Sequence, residues 1–343
     1  MLPPPLMPPP FQPTRAFHPA RGLASPHAQT LFASVARRPG LVPALVRERW
    51  TTNDGDFIDV DLIKGPPEAP RLLLLHGLEG SSRSGYIRHL LRGAAARGWS
   101  AAALNFRSCS GEPNLLAHAY SSGDFRDPLE VLQRWHAQSD APTFAIGFSL
   151  GGNVLINLLG EAGEQAKLTA AVAVSAPYDL QACVRAVDAG RGFFSLYLHN
   201  FLRSMKVKAL QKARAFPDRL DARAISAVRT IQGIDETVTA PLYGFANAAA
   251  YYARCSSGRW VSHVKTPTLL ISAEDDPLAP AGLLPVAGRE NPFVQVLAPR
   301  HGGHVGFVDG SIAAPRFWAE EQALKFLDGF ISSHRSDIRS LGV

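Results

Sequence analysis

Ser149, Asp276 and His304 are the residues whose types, order and surroundings could together perform nucleophilic chemistry. Ser149 stands at the centre of Gly147-Phe148-Ser149-Leu150-Gly151. A serine hydroxyl is a poor nucleophile at neutral pH and needs an adjacent base, which a neutral imidazole can supply. A carboxylate then orients the imidazole and stabilises the imidazolium that forms, without itself taking the proton. Two acids and two histidines compete for these roles. Asp276 is preferred to Asp275 because Pro277-Leu278-Ala279-Pro280 follows it as the usual continuation of such an acid loop. His304 is preferred to His301 because it lies deeper in the Gly-rich loop, just before Val305-Gly306-Phe307. Two histidines flanking Gly302-Gly303 could suggest a metal, but no third ligand accompanies them at zinc-like spacing. No metal or cofactor is expected.

These residues need particular elements to carry them. Thr143 to Ile146 reads as a short buried strand and Gly152 to Leu159 as an apolar helix stopped by Gly160. Ser149 then occupies the strand-to-helix apex called a nucleophile elbow, where a strained turn lifts one hydroxyl clear of the sheet. Thr268 to Ser272 and Val294 to Leu297 are further strand-like runs, and each ends in one of the candidate loops. The order Ser, acid, His along the chain is the order elbow-bearing hydrolytic sites use. An oxyanion formed at the substrate carbonyl would need two backbone donors. One is the N–H of Leu150. The other is assigned to Leu78, in the loop that follows the Arg71 to Leu75 strand. His76, in that same loop, is expected to order it and border the substrate pocket rather than act as a second base.

Further strands at about 72–75, 101–106 and 170–175 alternate with helical stretches, the pattern of a mostly parallel sheet with helices on both faces. Val46 to Thr51 and Phe57 to Leu62 predict an antiparallel edge hairpin. Residues 178–265 offer no clear core strand and are expected to form a helical cap inserted into a domain spanning 21–343. Within the cap, Phe194, Tyr197, Leu198, Phe201, Leu202 and Met205 fall on one helical face. That face is expected to pack on the core, with Phe194, Leu198 and Phe201 as candidate pocket residues.

The longer motifs carry a resemblance. They are Pro26-His27-Ala28-Gln29-Thr30, Asp54-Gly55-Asp56-Phe57-Ile58-Asp59, His76-Gly77-Leu78-Glu79-Gly80-Ser81-Ser82, and Asn105 to Asn114. The serine motif through Asn153, Asp276-Pro277, and His301 to Phe307 complete them. Over roughly residues 20 to 330 the chain resembles the YheT-like branch of the α/β-hydrolase superfamily, which includes ABHD1/ABHD3-type lipid hydrolases. The resemblance implies an α/β-hydrolase fold and a Ser149-Asp276-His304 triad. It also implies esterase or acyltransferase activity on short- to medium-chain acyl esters, a small ester or lipid substrate in either case. Ser108 departs from the family's usual Gly, which implies an altered loop near the pocket.

Composition bounds the rest. The chain has 343 residues, 46% hydrophobic and 19% charged, as an ordinary globular protein does. The first fifty residues hold six Arg, no Lys and one acid, a net of +5 out of +6. The remaining body is nearly neutral, which argues against a nucleic-acid surface. The basic leader could support weak association with an anionic membrane surface, although a solvated arm is the preferred reading. Eight of the first twenty residues are Pro, so residues 1–20 are expected to be a disordered leader. With no signal-peptide core and three scattered cysteines, a cytoplasmic location is expected. A non-catalytic ligand-binding protein on the same fold is the alternative from another class.

Overall fold

The computed structural model describes residues 10–37, 43–190, 192–280 and 290–340. Its centre is an eight-stranded sheet. The strands are β1 (Val46–Thr51), β2 (Phe57–Ile63), β3 (Arg71–Leu75), β4 (Ser100–Asn105), β5 (Thr143–Phe148), β6 (Ala170–Val174), β7 (Thr268–Ile271) and β8 (Val294–Leu297). Their spatial order is β1-β2-β4-β3-β5-β6-β7-β8. β1 and β2 form the expected antiparallel hairpin, β2 runs antiparallel to β4, and every later pairing is parallel. A short hairpin of β9 (Val308–Gly310) and β10 (Pro315–Phe317) lies outside this sheet and was not anticipated.

Among the described residues the helices of eight residues or more are α1 (Pro26–Ala36), α2 (Gly85–Ala96), α3 (Arg126–His136), α4 (Leu150–Glu161), α5 (Leu180–Asp188), α6 (Phe193–Ala215), α7 (Ala248–Cys255) and α8 (Trp318–Ser340). Successive strand residues point to opposite faces, so the unbroken Leu72–Leu75 run serves two cores. Leu73 and Leu75 join Val131, Val154 and Leu158 on one face. Leu72 and Leu74 join Ile87, Leu91 and Leu327 on the other. Every residue of α4 from Leu150 to Leu159 is buried, as befits a helix that is apolar all round.

Between β6 and β7, the described elements from residue 180 to residue 263 are all helices, with no strand among the described residues. Their longest element, α6, runs for 23 residues.

The leader departs from expectation. Residues 1–9 lie outside the described residues, but residues 10–20 are docked on the body. Phe11, Pro13, Arg15, Phe17 and Pro19 turn inward in alternation with exposed neighbours, as in an extended strap. Phe17 packs edge-on against Phe307 and beside Trp318. Arg15 pairs with Asp309 at 2.7 Å and Glu321 at 2.6 Å. Body acids also take Arg37, Arg47 and Arg49. The positive charge that suggested a free basic arm is therefore largely compensated. Among the described residues no helix is long and apolar enough to cross a membrane.

Candidate active site

The carboxyl ends of the parallel strands converge on one point, where an open α/β sheet places ligands. Ser149 is the single residue between β5 and α4, with φ 51° and ψ −122°, a left-handed conformation costly for a residue with a Cβ. Close packing enforces it. A Cβ on Gly147 would lie 2.3 Å from the Gly151 carbonyl oxygen, and one on Gly151 would lie 2.5 Å from the His76 oxygen. Only glycine lets strand and helix approach so closely.

His304 bridges Ser149 and Asp276. Its Nε2 is 2.9 Å from Ser149 Oγ, and its Nδ1 is 3.0 and 2.9 Å from the two Asp276 oxygens. The carboxylate is acceptor-only, so Nδ1 carries the proton and Nε2 presents its lone pair to the serine hydroxyl. Asp276 Oδ1 also accepts from the amides of Leu278 and Ala279, which fixes the carboxylate. The neighbours do something else. Asp275 accepts from the Gly303 amide at 2.9 Å and lies 3.2 Å from His301 Nδ1, so this pair braces the histidine loop from outside.

Other supports of that loop went unassigned in the sequence. The His304 amide donates to Thr30 Oγ1, and the Val305 amide donates to Ser175 Oγ. Buried Gln29 accepts from the Val308 amide and donates to the Leu23 and Val308 carbonyls. The available signal was a polar Gln-Thr pair inside the apolar periodicity of α1. On α4, Asn153 donates to the Ser122 and Cys255 carbonyls and accepts from the Ser257 amide. It ties the elbow helix to α7 and the loop at 121–122.

The amides of Leu78 and Leu150 donate to no acceptor among the described residues. Both residues, with Ser149 and His304, line a cavity of about 190 Å³ roofed by the helices between β6 and β7. Leu180, Val184, Met205, Leu242 and Leu278 make it largely apolar. Asp235 also faces it, held by the hydroxyls of Tyr252 and Thr239, and burial pushes its carboxyl up to about 6.

Three of the four expected pocket residues are elsewhere. His76 is fully buried beneath the sheet end and does not reach the cavity. Its Nδ1 is 2.7 Å from the Gly77 oxygen and its Nε2 accepts the Phe106 amide at 3.1 Å. Both ring nitrogens are occupied, and burial pushes its pKa down to about 4. Phe194 and Leu198 pack with Val187, Tyr197 and Ile231 instead of lining the cavity. Phe201 does line it, followed along α6 by Met205, Lys208, Ala209 and Lys212. Ser108 adopts φ 62°, a conformation glycine would hold without strain. Its hydroxyl donates to Asn114 Oδ1 and accepts the Asn114 amide, so the side chain anchors the loop it would otherwise strain.

The model of the alpha/beta hydrolase fold matches residues 70–311. The chain belongs to the α/β-hydrolase family. Within that family it is 36% identical over 330 residues to YheT of Escherichia coli (strain K12), named as an esterase, covering 94% of this chain and 96% of that one. It is 30% identical over 266 residues to phospholipase ABHD3 of Mus musculus, covering 76% and 63%. The fold also matches the solved acylaminoacyl peptidase of Pyrococcus horikoshii with a TM-score of 0.53 at 17% identity, over 84% of this chain and 41% of that one. This α/β-hydrolase therefore sits in the YheT/ABHD branch.

Proposed function

We propose that this chain is a serine carboxylic-ester hydrolase in which Ser149, His304 and Asp276 act by double displacement on short- to medium-chain acyl esters. The observation that carries the reading is the single imidazole between Ser149 and Asp276, at 2.9 to 3.0 Å, facing an apolar cavity. Relatives named esterase and phospholipase support the ester substrate class.

The chemistry follows from the geometry. Ser149 Oγ attacks the ester carbonyl as its proton passes to His304 Nε2. The imidazolium is stabilised by Asp276, and the oxyanion is held by the Leu78 and Leu150 amides, which have no acceptor among the described residues to give up first. His304 returns the proton to the departing alkoxide. Water, activated by the same imidazole, then hydrolyses the acyl-enzyme. His76 takes no part, because its acceptor nitrogen is already committed to Phe106.

A fluorophosphonate probe on the folded chain, paired with p-nitrophenyl ester turnover, tests this. A covalent adduct on Ser149 is expected, and Ser149→Ala should lower kcat by about 10⁶. An unlabelled Ser149, or full turnover in the alanine variant, removes the assignment.

A further inference from the structure

Glu79 lies one residue past Leu78 and has no role in the chemistry above, yet it is among the most heavily bonded side chains near the site. Its backbone is left-handed, with φ 58°, which a residue other than glycine holds only when its surroundings over-determine it. Those surroundings come from two directions. From below, the Glu79 amide donates to Tyr120 Oη at 3.0 Å, and the same hydroxyl donates back to Glu79 Oε1 at 2.8 Å. Tyr120 stacks on Phe106, which is bonded to His76, so this anchor reaches the strand ends. From above, α6 supplies two donors to the carboxylate: Ser204 Oγ, and Lys208 Nζ at 3.0 Å. Lys208 also reaches Cys109 Sγ at 3.2 Å. The Glu79 side chain is 10% exposed as a result.

On the other side of Leu78, the Gly77 amide donates to Tyr86 Oη at 3.0 Å, and the Gly80 amide closes a turn onto the Gly77 carbonyl. Leu78 is thus held between two anchored peptides: the one that carries its own N–H is tied through the Gly77 carbonyl, and the one that follows is tied through the Glu79 amide. Only the Glu79 anchor is shared with the helical roof.

We propose that Glu79, Ser204 and Lys208 are positioning residues, through which α6 seats the oxyanion loop and aims the Leu78 amide at the reacting carbonyl. This rests on the triad reading. It makes the docked roof part of the catalytic geometry as well as a wall of the pocket. Losing one oxyanion donor costs about 10²–10³ in kcat, and a displacement of about 1 Å costs up to about 10².

The test measures kcat and KM of the full chain on p-nitrophenyl acetate and p-nitrophenyl octanoate, with binding of an alkylboronic acid that forms a tetrahedral adduct on serine. Lys208→Met and Glu79→Gln should each lower kcat about 10- to 100-fold on both esters. KM should change little, and boronate affinity should fall in parallel. Lys208→Arg should recover most of the loss, since it restores the charge-assisted bond. Thermal melts report whether each variant is folded. If Lys208→Met fails to fold, Ser204→Ala carries the test, with an expected loss of about threefold to tenfold from removal of one hydrogen bond. Folded variants with kcat near that of the parent overturn the proposal. So does a defect confined to KM for the octanoate, which would make Lys208 pocket wall only. Fluorophosphonate labelling of the unsubstituted chain separates the two failures. No Ser149 adduct means the triad reading has failed. A normal adduct beside unaffected kcat in the variants means only the positioning proposal has.

Discussion

At the residue scale, Asp275 and Asp276 are adjacent and alike in charge, but the backbone sends them to different partners. Asp276 accepts from His304 Nδ1 and two amides of its own turn, while Asp275 meets the Gly303 amide and exposed His301. Asp276→Asn preserves the shape but replaces an acceptor with a group that can donate, which favours the wrong tautomer of His304. It should reduce kcat by about 10⁴, while Asp275→Asn should cost less than about tenfold. The histidines should split the same way, with His304→Ala abolishing acylation and His301→Ala chiefly lowering the melting temperature. Stopped-flow measurement of the p-nitrophenolate burst checks all four; a large loss in Asp275→Asn with a normal burst in Asp276→Asn would exchange the roles. The loops that carry Ser149, Asp276 and His304 were legible because each follows a recognisable strand. For His76 the loop-ordering part of the reading fits its bond to Gly77, but its absence from the pocket was not legible, because a histidine buried by its own loop and one aimed at a pocket look the same in sequence. The difference is the Phe106 amide, which is brought to it from β4 by tertiary packing.

At the element scale, the strands of the main sheet were readable to within a residue or so because the parallel ones are apolar runs too short for a buried helix and spaced by helical stretches, whereas the β9–β10 hairpin has no such run. The helical roof was harder. Periodicity identified one face of α6 correctly as apolar, but a 23-residue helix crossing a curved surface does not keep one face toward one neighbour. Its first turns, with Phe194, Tyr197 and Leu198, pack on Val187 and Ile231, and the cavity begins only at Phe201. The polar residues at 208 and 212 lie along the same cavity wall, so apolarity alone could not mark the lining face. Phe201→Ala should therefore lower kcat/KM for an octanoyl ester by about 10- to 100-fold, the range for lost contacts in an apolar pocket, and affect an acetyl ester far less. Phe194→Ala should lower the melting temperature and leave the octanoyl-to-acetyl ratio near that of the parent. A chain-length series on the two variants decides; an altered ratio in Phe194→Ala alone would return the lining to the first turn of α6.

At the scale of the whole molecule, proline content pointed to a free leader, and proline does prevent residues 10–20 from forming a helix or a regular sheet strand. It does not prevent an extended strap, for which it is well suited, because a fixed φ lowers the entropy lost on docking. What composition could not show is the receiving surface, built by Phe307, Trp318, Gln322 and Phe326 some 300 residues away. The strap carries two half-buried phenylalanines, the Arg15 pairs and a bond from Trp318 Nε1 to the Arg15 carbonyl. Each aromatic is worth at most about 1.5–3 kcal/mol when fully buried, and the partly buried Arg15 pairs add little because Asp309 keeps Arg316 as a partner, so removal of residues 1–20 should cost about 3 kcal/mol. In a domain of this size that corresponds to about 4 °C in Tm. Phe17→Ala alone should account for roughly half of it, since Phe17 contacts both Phe307 and Trp318. The effect on turnover should be smaller than on stability, because Phe307 lies three residues past His304 and that loop keeps its bonds to Thr30, Ser175 and Asp275. Differential scanning calorimetry and ester turnover at 25 °C on the truncated chain give both numbers. An unchanged Tm would mean that the strap's contacts contribute no net stability, and a collapse of activity at intact Tm would mean that it positions His304 directly.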